Sequence, residues 1–538
     1  MSRILTERYD DFTGGLNLRA DQFQLRRNES PDMLNVEIDP RGGVFSRGGM
    51  HRLNTTAIPV TGTWNPQTLF PFYGASERLM FCDDDHVFWS SGGNFTRLEY
   101  SAGNPVVSQS DDGMCLAAWG DVLYMGAGAN ASQVGYKWQT TNTYASQMSA
   151  SGPVWQPYNN PVGGYMPRAE HLIVHTSKLF AANTFEDGVA YPNRLRWSHE
   201  GLPEDWAEDD YLDFNGGGVG INALAIVAGQ LVIFKPNAIY LLIGNNTDNF
   251  QVVELSTKLG CLNHHSMAQG EDGVFFYSNP EGLFYYDGTK IVDIFEPLRP
   301  LVDEGNLSAA STEPYSVSFV GRRCWLALPY DPNGTATKPT RNYIFDRSIG
   351  NNGAYTQFAT YDGYGLVGGC DWTDSNNVNY RVLCHPTQPY VMKVDLYEEQ
   401  YDNVDGSEDA FDSYYRTGWV DGGGYAMKKM FRRPDIVFKQ VDTQRNVNVR
   451  VYHNYEESSG SERKQFDVTL GGSGTGGYWG TDLWGTGLWG EVAQGVEVLN
   501  GRNLGLARSV QLLLTGPENG SWGVDSITYK FNNRKVTG

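Results

Sequence analysis

A loosely repeated unit constrains the fold of this chain more than any other feature. Each unit has an apolar strand, a tight turn, a second apolar strand and then a third strand. The first strands begin near Leu69, Met114, Leu172, Leu224, Met267, Val317 and Leu366. A spacing of about 50 residues is the length of one four-stranded propeller blade. A single blade leaves both faces exposed, whereas blades arranged around an axis bury them against each other.

The composition favours short strands joined by many turns. The chain contains 63 glycines, 13% of its residues are aromatic, and only 19% are charged. Glycine supplies left-handed turn positions, and aromatic side chains suit half-buried strand faces. Turns such as Gly120-Asp121 and Asp272-Gly273 are typical of tight hairpins. We therefore predict an all-β chain with a β-propeller of six or seven blades over residues 61–400. A pair of β-sandwiches built from the same strands remains the alternative.

The regions on either side of the repeat differ from it. Residues 1–60 are polar and mostly extended, with one hairpin that turns at Asp39-Pro-Arg-Gly42. They are predicted to form an N-terminal arm that lies on another surface. Residues 401–538 contain many alternating strands and are predicted to form a C-terminal β-sandwich. A Gly/Trp-rich loop, residues 471–490, interrupts this last region.

The loop carries three Trp-Gly pairs five residues apart. Trp479, Trp484 and Trp489, with Tyr478 beside the first, are the interface candidates of the sequence. The glycines around them are typical of a linker, so these rings cannot form a core of their own. One interpretation is that they pack back onto the adjoining domain. The other is that they fill grooves on a neighbouring subunit or fibre, as tryptophan anchors do.

Charge and cysteine usage limit the partners and the compartment. The net charge of −21 argues against wrapping nucleic acid, which needs clustered Lys and Arg. It is compatible with a channel through which a polyanion passes without binding, because like charges repel. The six cysteines form no CxxC pair and are expected to be buried thiols from a reducing compartment. We expect no signal peptide and no membrane span.

A search for catalytic and cofactor motifs returns only weak matches. Gly363 to Gly368 matches GxGxxG, but it runs into a predicted strand, whereas phosphate binding needs a helix N-terminus there. The segment Ser108–Gly113 is the nearest match to a sialidase turn and has no partner elsewhere. A glycosidase would need two facing carboxylates, whose pairing a sequence does not reveal. We predict no enzyme, no catalytic residue and no cofactor.

Metal ligands are equally poorly supported. His171 and His175 are expected on one face of a strand, too far apart to share a metal, and no HExxH motif is present. His264 and His265 are expected to point to opposite faces. The acidic segment Asp371 to Asn376 departs from the EF-hand spacing, so calcium remains open but unsupported.

Three stretches carry a resemblance to a known family. They are Phe12-Thr-Gly-Gly-Leu-Asn17 with Leu34-Asn-Val36 and Gly43–Gly49; Leu172–Leu179 with Pro192–Ser198 and Gly201–Trp206; and Leu231–Lys235 with Ala238–Gly244, Leu259–Cys261 and Gly282–Gly288. Taken together they resemble the tail nozzle proteins of short-tailed phages, the tail-tubular-protein-B type, over about the first 400 residues. These motifs are loose and dominated by turns.

The resemblance implies a homohexameric ring at the distal end of a phage tail. Such a ring docks to an adaptor of the tail-tubular-protein-A type, holds fibres or a needle, and forms the tube through which genomic DNA leaves. It implies assembly in a host cytoplasm and a final location in the virion. The extended N-terminal arm and the long segments near residues 140–168 and 330–342 are candidates for contacts between subunits.

Two other functions remain open from the sequence. One is a propeller that binds, or even cleaves, a glycan on a host surface. The strong divergence of the repeats argues against it, because propeller lectins usually repeat the same aromatic residue at each site. The other is a hub or minor tail protein of a long-tailed phage with the same fold.

Overall fold

The computed structural model describes most of the chain and shows it to be all-β. The described residues are 4–21, 23–107, 114–126, 128, 134–148, 165–307, 316–331, 334–397, 399–424, 427–439, 445–458, 460–470, 496–498, 503–517 and 520–533. The helices within them are one four-residue α-helix, Pro300–Asp303, and three 3₁₀ turns, Thr247–Asn249, His264–Ser266 and Glu296–Leu298. The prediction of an all-β chain is confirmed.

The chain divides into two compact units. Unit 1 comprises residues 1–50, 343–363 and 395–538, and unit 2 comprises residues 51–342 and 364–394. The predicted division was 1–60, 61–400 and 401–538. The structure differs from it by placing both ends of the chain in one unit. The physical reason is strand pairing between segments about 500 residues apart, which no local sequence pattern reports.

Unit 2 contains five four-stranded antiparallel sheets, each a simple meander. Sheet 1 has Pro66–Tyr73, Glu77–Asp83, Val87–Ser90 and Thr96–Arg97. Sheet 2 has Cys115–Trp119, Val122–Gly126, Tyr136–Trp138 and Ser146–Gln147. Sheet 3 has Arg168–His175, Lys178–Glu186, Val189–Trp197 and Tyr211–Asp213. Sheet 4 has Ala223–Val227, Gln230–Lys235, Ala238–Ile243 and Gln251–Ser256. Sheet 5 has Met267–Gln269, Val274–Ser278, Gly282–Tyr286 and Ile291–Asp293.

Two further strand groups complete the succession in unit 2. Ser316–Val320 pairs with Arg323–Leu328 as a hairpin. Val367–Thr373, Asn379–Cys384 and Val391–Leu396 follow one another as antiparallel neighbours. All seven first strands begin within four residues of the positions that the repeat predicts.

The first strands of these groups are neighbours in chain order, and the order closes on itself. Those of sheets 2 to 5 contact one another in turn, followed by Ser316–Val320 and then Val367–Thr373. Val367–Thr373 also contacts the first strand of sheet 1. Sheets 1 and 2 share a hydrophobic cluster that includes Met80, Leu123 and Trp138. Each sheet of the succession therefore has a neighbour on both faces.

Burial of both sheet faces explains the apolar strand sequences. Every residue of Val274–Ser278 and of Gly282–Tyr286 is buried. Strands covered on both sides read as continuous apolar runs instead of alternating ones. Between sheets 4 and 5, the rings of Phe234 and Phe276 lie 5.1 Å apart. Truncating a buried ring such as Phe276 to alanine removes about 3–5 kcal/mol of stability.

Tight turns join the strands as the sequence predicts. Gly120 has φ +58° between the first two strands of sheet 2, and Gly321 has φ +60° in the 316–328 hairpin. Arg322 follows at φ +65°, so both central residues of that turn are left-handed. This is the backbone of a type I′ turn, which matches the twist of paired strands.

Unit 1 is built from two larger sheets. One has eight strands: Leu5–Tyr9, Val36–Ile38, Val44–Ser46, Lys429–Phe431, Asp435–Phe438, Val496–Val498, Gly505–Ala507 and Gly523–Asn533. The other has five: Met33–Leu34, Tyr414–Arg416, Arg445–His453, Lys464–Leu470 and Val510–Thr515. The sheets meet where the indole of Trp522 donates a 2.8 Å hydrogen bond to the Ser413 hydroxyl.

The N-terminal segment contributes strands to both sheets and does not lie apart as an arm. Leu5–Tyr9 pairs antiparallel along Gly523–Asn533, with Leu5 opposite Phe531. The predicted hairpin is present as Val36–Ile38 and Val44–Ser46. Other strands of the chain are Gly15–Leu16, Glu29–Ser30, Gly49–Arg52, Glu99–Ser101, Asn104–Pro105, Arg341–Asp346, Ala354–Phe358 and Asp402–Asn403.

Candidate functional site

An open groove of about 740 Å³ lies on the outer strands of sheets 1 and 2. Arg78 comes from the second strand of sheet 1, Trp89 from its third strand and Arg97 from its fourth. Trp138 ends the third strand of sheet 2, and the loop that follows it, with Tyr144, forms the opposite wall. The groove is thus built from the second to fourth strands of sheet 1 and from the third strand and following loop of sheet 2.

The floor of the groove is aromatic. The rings of Trp89 and Trp138 have centroids 6.0 Å apart and are tilted by 33°. Trp138 is buried in the cluster that sheets 1 and 2 share, and Trp89 is half-buried against that cluster. The indole nitrogen of Trp138 donates a 3.0 Å hydrogen bond to the carbonyl oxygen of Asn142. This bond satisfies the buried indole and fixes the loop beside it.

The guanidinium group of Arg78 faces this floor. The Arg78 guanidinium lies 4.9 Å from the ring centroid of Trp89, and its Nη1 donates to the Glu77 carbonyl at 2.9 Å. Within the described residues, the buried Nε of Arg78 has no hydrogen-bond partner. Arg97 Nη2 lies 3.6 Å from Glu99 Oε1, in a pair that is 30% and 27% exposed. Arg97 is opposite Phe88, and Thr96 is opposite Trp89, so Arg97 and Trp89 lie on opposite faces of sheet 1.

The wall of the groove is held in place by backbone contacts. The Ala145 amide donates to the Glu99 carbonyl at 2.8 Å. The Thr140 hydroxyl accepts a 3.1 Å bond from the Ser76 amide. Tyr144, with 41% of its surface exposed, stands free at the rim. The groove is therefore formed before any ligand arrives.

A second space in unit 2 is much smaller than the groove. Gln67, His265 and Ser316 line a space of about 20 Å³. That volume holds about one water molecule. A sugar or nucleotide does not fit there.

Residues of the first resembling stretch form a buried junction in unit 1. All five N–H donors of Arg47 are used: Nε bonds Asn35 Oδ1, and Nη1 and Nη2 bond the two Asp402 oxygens at 2.8 and 2.7 Å and the carbonyls of Gly48 and Ala359. The guanidinium also lies 3.6 Å from the ring centroid of Phe411. The sequence pattern around Arg47 does not indicate this role.

Glycines of that stretch are required by close backbone approach. A Cβ at Gly49 would lie 2.3 Å from the carbonyl oxygen of Tyr401. Gly15 has φ +67°, and a Cβ there would lie 2.7 Å from the carbonyl oxygen of Tyr355. Both positions exclude any other residue without a shift of the backbone.

The second stretch contributes a buried charge network in sheet 3. Glu186, 3% exposed, accepts hydrogen bonds from Arg196 at 2.7 and 2.9 Å and from Arg194 at 3.1 Å. Arg194 also pairs with both oxygens of Asp213, at 2.9 and 3.0 Å. The Arg194 guanidinium is stacked 3.8 Å from the centroid of Tyr211. The strand pairing of sheet 3 aligns these side chains.

The third stretch is connected to the second by a buried lysine. Lys235 of sheet 4 donates to Asn193 Oδ1 at 2.9 Å and to the Phe214 carbonyl at 2.6 Å. Burial lowers the pKa of Lys235 from its ordinary value. The motif residues thus join successive sheets and do not line the groove.

Several predicted residues lie outside the described part of the chain. They are the interface candidates Tyr478, Trp479, Trp484 and Trp489, and the sialidase-like segment Ser108–Gly113. Gly363 to Gly368 continues directly into the strand Val367–Thr373, as expected.

The prediction for His264 and His265 was wrong. They lie in a 3₁₀ turn, with ring centroids 3.7 Å apart, because Asn263 and Ser266 form a capping box around them. His171 shares a strand with His175 and has its ring 5.5 Å from that of His264. Burial and the two neighbouring imidazoles hold the pKa of His264 well below its usual value.

The candidate calcium carboxylates are engaged in turns. Asp371 accepts hydrogen bonds from the Gly321 amide at 3.0 and 3.1 Å. Asp374 Oδ1 accepts from the amides of Asn376 and Val378 at 2.9 Å, which lowers the pKa of Asp374. Across the described residues, no group of three His, Cys, Asp or Glu side chains has the arrangement of a metal site.

The structure describes all six cysteines. All six cysteines are free thiols, four of them buried and two half-buried. Among the residues that the structure describes, no helix is long and apolar enough to cross a membrane.

Comparison with known proteins gives only distant structural matches. No family model matches the sequence, and no curated protein matches it. Solved structures that match include extracellular domains assigned to a one-component system, BT4673, and to a hybrid two-component system, BT3049, of B. thetaiotaomicron. The first has a TM-score of 0.38 and 9% identity over 73% of this chain and 43% of its own. The second has a TM-score of 0.39 and 9% identity over 84% and 58%. The chain spans about half the length of these structures, and such TM-scores support no statement about its fold or function.

Proposed function

We propose that the protein is a non-enzymatic structural component of a phage tail, of the nozzle type. In this proposal the seven strand groups of unit 2 are the blades of a β-propeller, and the two sheets of unit 1 form a β-sandwich. The protein assembles into a homohexameric ring, docks to an adaptor, carries fibres or a needle and lets genomic DNA pass. Its side chains maintain the structure, and none of them takes part in a reaction.

The observation that carries this proposal is the placement of the resembling stretches. Arg47, Arg194, Arg196 and Lys235 are buried and hydrogen-bonded, and the half-buried Asn193 accepts a hydrogen bond from Lys235. Catalytic residues lie in clefts, whereas residues in buried hydrogen-bond networks specify one arrangement of the chain. Motif residues that form such buried junctions indicate a rigid scaffold, and a nozzle requires a rigid scaffold.

The charge of the chain fits DNA transit. Six copies, each with net charge −21, create a repulsive surface for an exiting polyanion where they line a channel. Repulsion prevents the DNA from binding as it leaves. The lumen surface of an assembled ring is therefore expected to be acidic.

Mass measurement with and without an adaptor tests the proposal. Native mass spectrometry and negative-stain imaging are expected to show hexameric rings, either alone or after addition of a tail-tubular-protein-A-like adaptor. A chain that stays monomeric with the adaptor, or a lumen that is neutral or basic, contradicts it. Trp484→Ala separates the two interpretations of the Gly/Trp-rich loop: a stable monomer that fails to assemble favours an interface role, and a less stable monomer favours packing within the chain.

A second function, recognition of a host-surface glycan, is favoured by one specific observation. The groove on sheets 1 and 2 combines an aromatic floor with the guanidinium group of Arg78. Binding pockets typically combine apolar walls with a few directed polar groups. A glycan array probed with the purified protein tests this candidate, and the absence of any bound glycan contradicts it.

A further inference from the structure

We propose that three histidines in unit 2 form an acid-sensitive switch, which holds the turn before sheet 5 against sheet 3 at neutral pH and releases it in acid. The three residues, called here the histidine cluster, are His171, His264 and His265. This inference goes beyond both proposed functions and depends on neither of them, because it concerns packing within one chain.

Strand pairing and a capped turn bring the three rings together. His171 is 3% exposed and lies in the first strand of sheet 3, which is paired with the second strand of that sheet. His264 and His265 lie in the turn that Asn263 and Ser266 close by a capping box. The ring centroids of His171 and His264 are 5.5 Å apart, and those of His264 and His265 are 3.7 Å apart. His264 therefore contacts both of the other rings.

The imidazole of His264 is suited to the neutral state only. Its side chain is half-buried, but Nδ1 and Nε2 are both buried, and neither has a hydrogen-bond partner among the described residues. A neutral imidazole has one N–H donor, whereas an imidazolium has two and a positive charge. Burying a charged donor without a partner costs much more than burying a neutral one. Protonation therefore disfavours the position that the ring occupies.

The groups that act on His264 oppose its protonation. Burial is the largest cause that holds the pKa of His264 well below its usual value, and the imidazoles of His265 and His171 are the other two. The turn also contains the thiol of Cys261, whose Sγ lies 3.2 Å from Ser266 Oγ. Burial raises the pKa of Cys261 to about 12, so this thiol stays neutral.

The elements packed around the turn supply no compensating charge. Met267–Gln269 follows the turn and Ser316–Val320 contacts it, and neither strand contains a titratable side chain. Lys338 lines the same space of about 20 Å³ as His265 and adds positive charge there. Glu170 precedes His171 in its strand, and its carboxylate accepts a hydrogen bond from the Asn183 amide. In the part of the chain that the structure describes, no carboxylate acts on His264.

Protonation is therefore coupled to opening of the contact. The pKa of His264 is lower in the folded chain than the value of about 6.5 that an unfolded chain gives. The stability that the neutral ring provides is complete above about pH 6.5 and is lost as the pH falls below that value. The ring gains its proton when the turn moves away from sheet 3 and the two nitrogens reach water. Acid thus selects the open state.

Hydrogen exchange of backbone amides, measured by mass spectrometry at pH 8 and pH 5 and corrected for intrinsic rates, tests the switch. We expect protection of residues 168–175 and 260–270 to fall about tenfold or more at pH 5, because an unfolded histidine is mostly protonated there. His264→Phe keeps an aromatic ring without a titratable nitrogen and is expected to reduce this fall to about threefold or less. His171→Gln removes one facing imidazole and is expected to give an intermediate fall. Comparison with the parent cancels the pH dependence of other groups such as Asp83.

The matched control is His453→Phe. His453 is buried in unit 1, and its Nε2 donates a 3.0 Å hydrogen bond to the Leu504 carbonyl. No imidazole is among the groups that shift its pKa. The fall in protection of residues 168–175 and 260–270 is expected to stay within about twofold of the parent. Circular dichroism at pH 8 checks that each variant folds.

Four results would overturn the proposal. The first is unchanged protection of both segments in the parent at pH 5, and the second is an equal fall in the parent and in His264→Phe. The third is an equal loss of protection throughout unit 2, which would show general acid unfolding. The fourth is a rise in melting temperature with Zn²⁺ at pH 8 that His264→Phe abolishes, which would show that the histidine cluster binds a metal instead.

Discussion

The substitution Asp402→Asn tests whether the Arg47 junction stabilises unit 1. Asp402 is fully buried and binds both terminal nitrogens of Arg47, and its Oδ2 also accepts the Tyr361 amide at 2.9 Å. Asparagine keeps the shape and one acceptor oxygen but removes the charge. The guanidinium stays charged because arginine does not lose its proton in proteins.

The expected loss follows from these contacts. Two hydrogen bonds to a charged acceptor become at most one to a neutral acceptor, at about 1.5–3 kcal/mol for each charged bond. The Arg47 side chain is only 4% exposed, so water does not replace the lost charge. Breaking one partner of a buried pair typically costs about 3–5 kcal/mol, and we expect Asp402→Asn to lower the free energy of unfolding of unit 1 by that amount.

Urea unfolding followed by circular dichroism and tryptophan fluorescence measures the effect. The two units need not unfold together, so each transition is fitted separately. The control is Asp10→Asn, which removes an exposed pair with Arg8 in the same unit and is expected to leave the midpoint unchanged. The double variant Arg47→Met with Asp402→Leu is expected to lose less than the two single changes summed. A loss below about 1 kcal/mol for Asp402→Asn would refute the argument that this charge holds the junction.

Three further predictions follow from the same physics. Glu186→Gln is expected to lower the free energy of unfolding of unit 2 by about 3 kcal/mol in urea titrations, because two buried arginines lose their shared carboxylate. Burial raises the pKa of Asp83 to about 6, so the ionised form of Asp83 destabilises the native state. Because the folded pKa exceeds the unfolded value, stability should rise as the pH falls from about 6 to 4. Asp83→Asn should therefore stabilise the protein by about 2–3 kcal/mol at pH 8 but not at pH 4. Burial also raises the pKa of the Cys115 thiol to about 11 and the pKa of the Cys261 thiol to about 12. The native chain should therefore react with a thiol reagent at pH 8 far more slowly than the urea-unfolded chain, in which six thiols should react. A fast reaction of the native chain would contradict this burial.

The repeat could be located from the sequence because its inner strands are buried on both faces. Strands such as Val274–Ser278 and Arg323–Leu328 are entirely buried and therefore appear as apolar runs. The outermost strands give no such pattern. Ser146–Gln147 is two exposed residues long, and no periodicity can be read from it.

The N-terminal segment could not be placed from local patterns. Its polar residues suggested an exposed arm, but several of them are buried partners in unit 1. Asn35, 2% exposed and with φ +53°, donates its side-chain amide to the Asp412 carbonyl at 2.8 Å. A polar residue whose partners lie hundreds of positions away looks the same in sequence as a solvated one.

The groove could not be predicted from the sequence for a related reason. Its main residues come from four short stretches between Arg78 and Tyr144, and each stretch reads alone as an ordinary strand or turn. By contrast, the turn at His264 could have been predicted from the sequence. Asn263 and Ser266 are spaced as the ends of a capping box, which predicts a helical turn instead of an extended strand.

The fourth strands of the sheets in unit 2 are short, with one exception. The fourth strand has two or three residues in sheets 1, 2, 3 and 5 but six in sheet 4, where Val252 and Val253 are 44% and 41% exposed. Short outer strands protect a sheet edge from pairing with other chains. Because the inner strands carry the packing between sheets, each outer strand is free to change without loss of the core. A contact specific to one sheet would therefore arise at such an edge, as the exposed valines of sheet 4 illustrate.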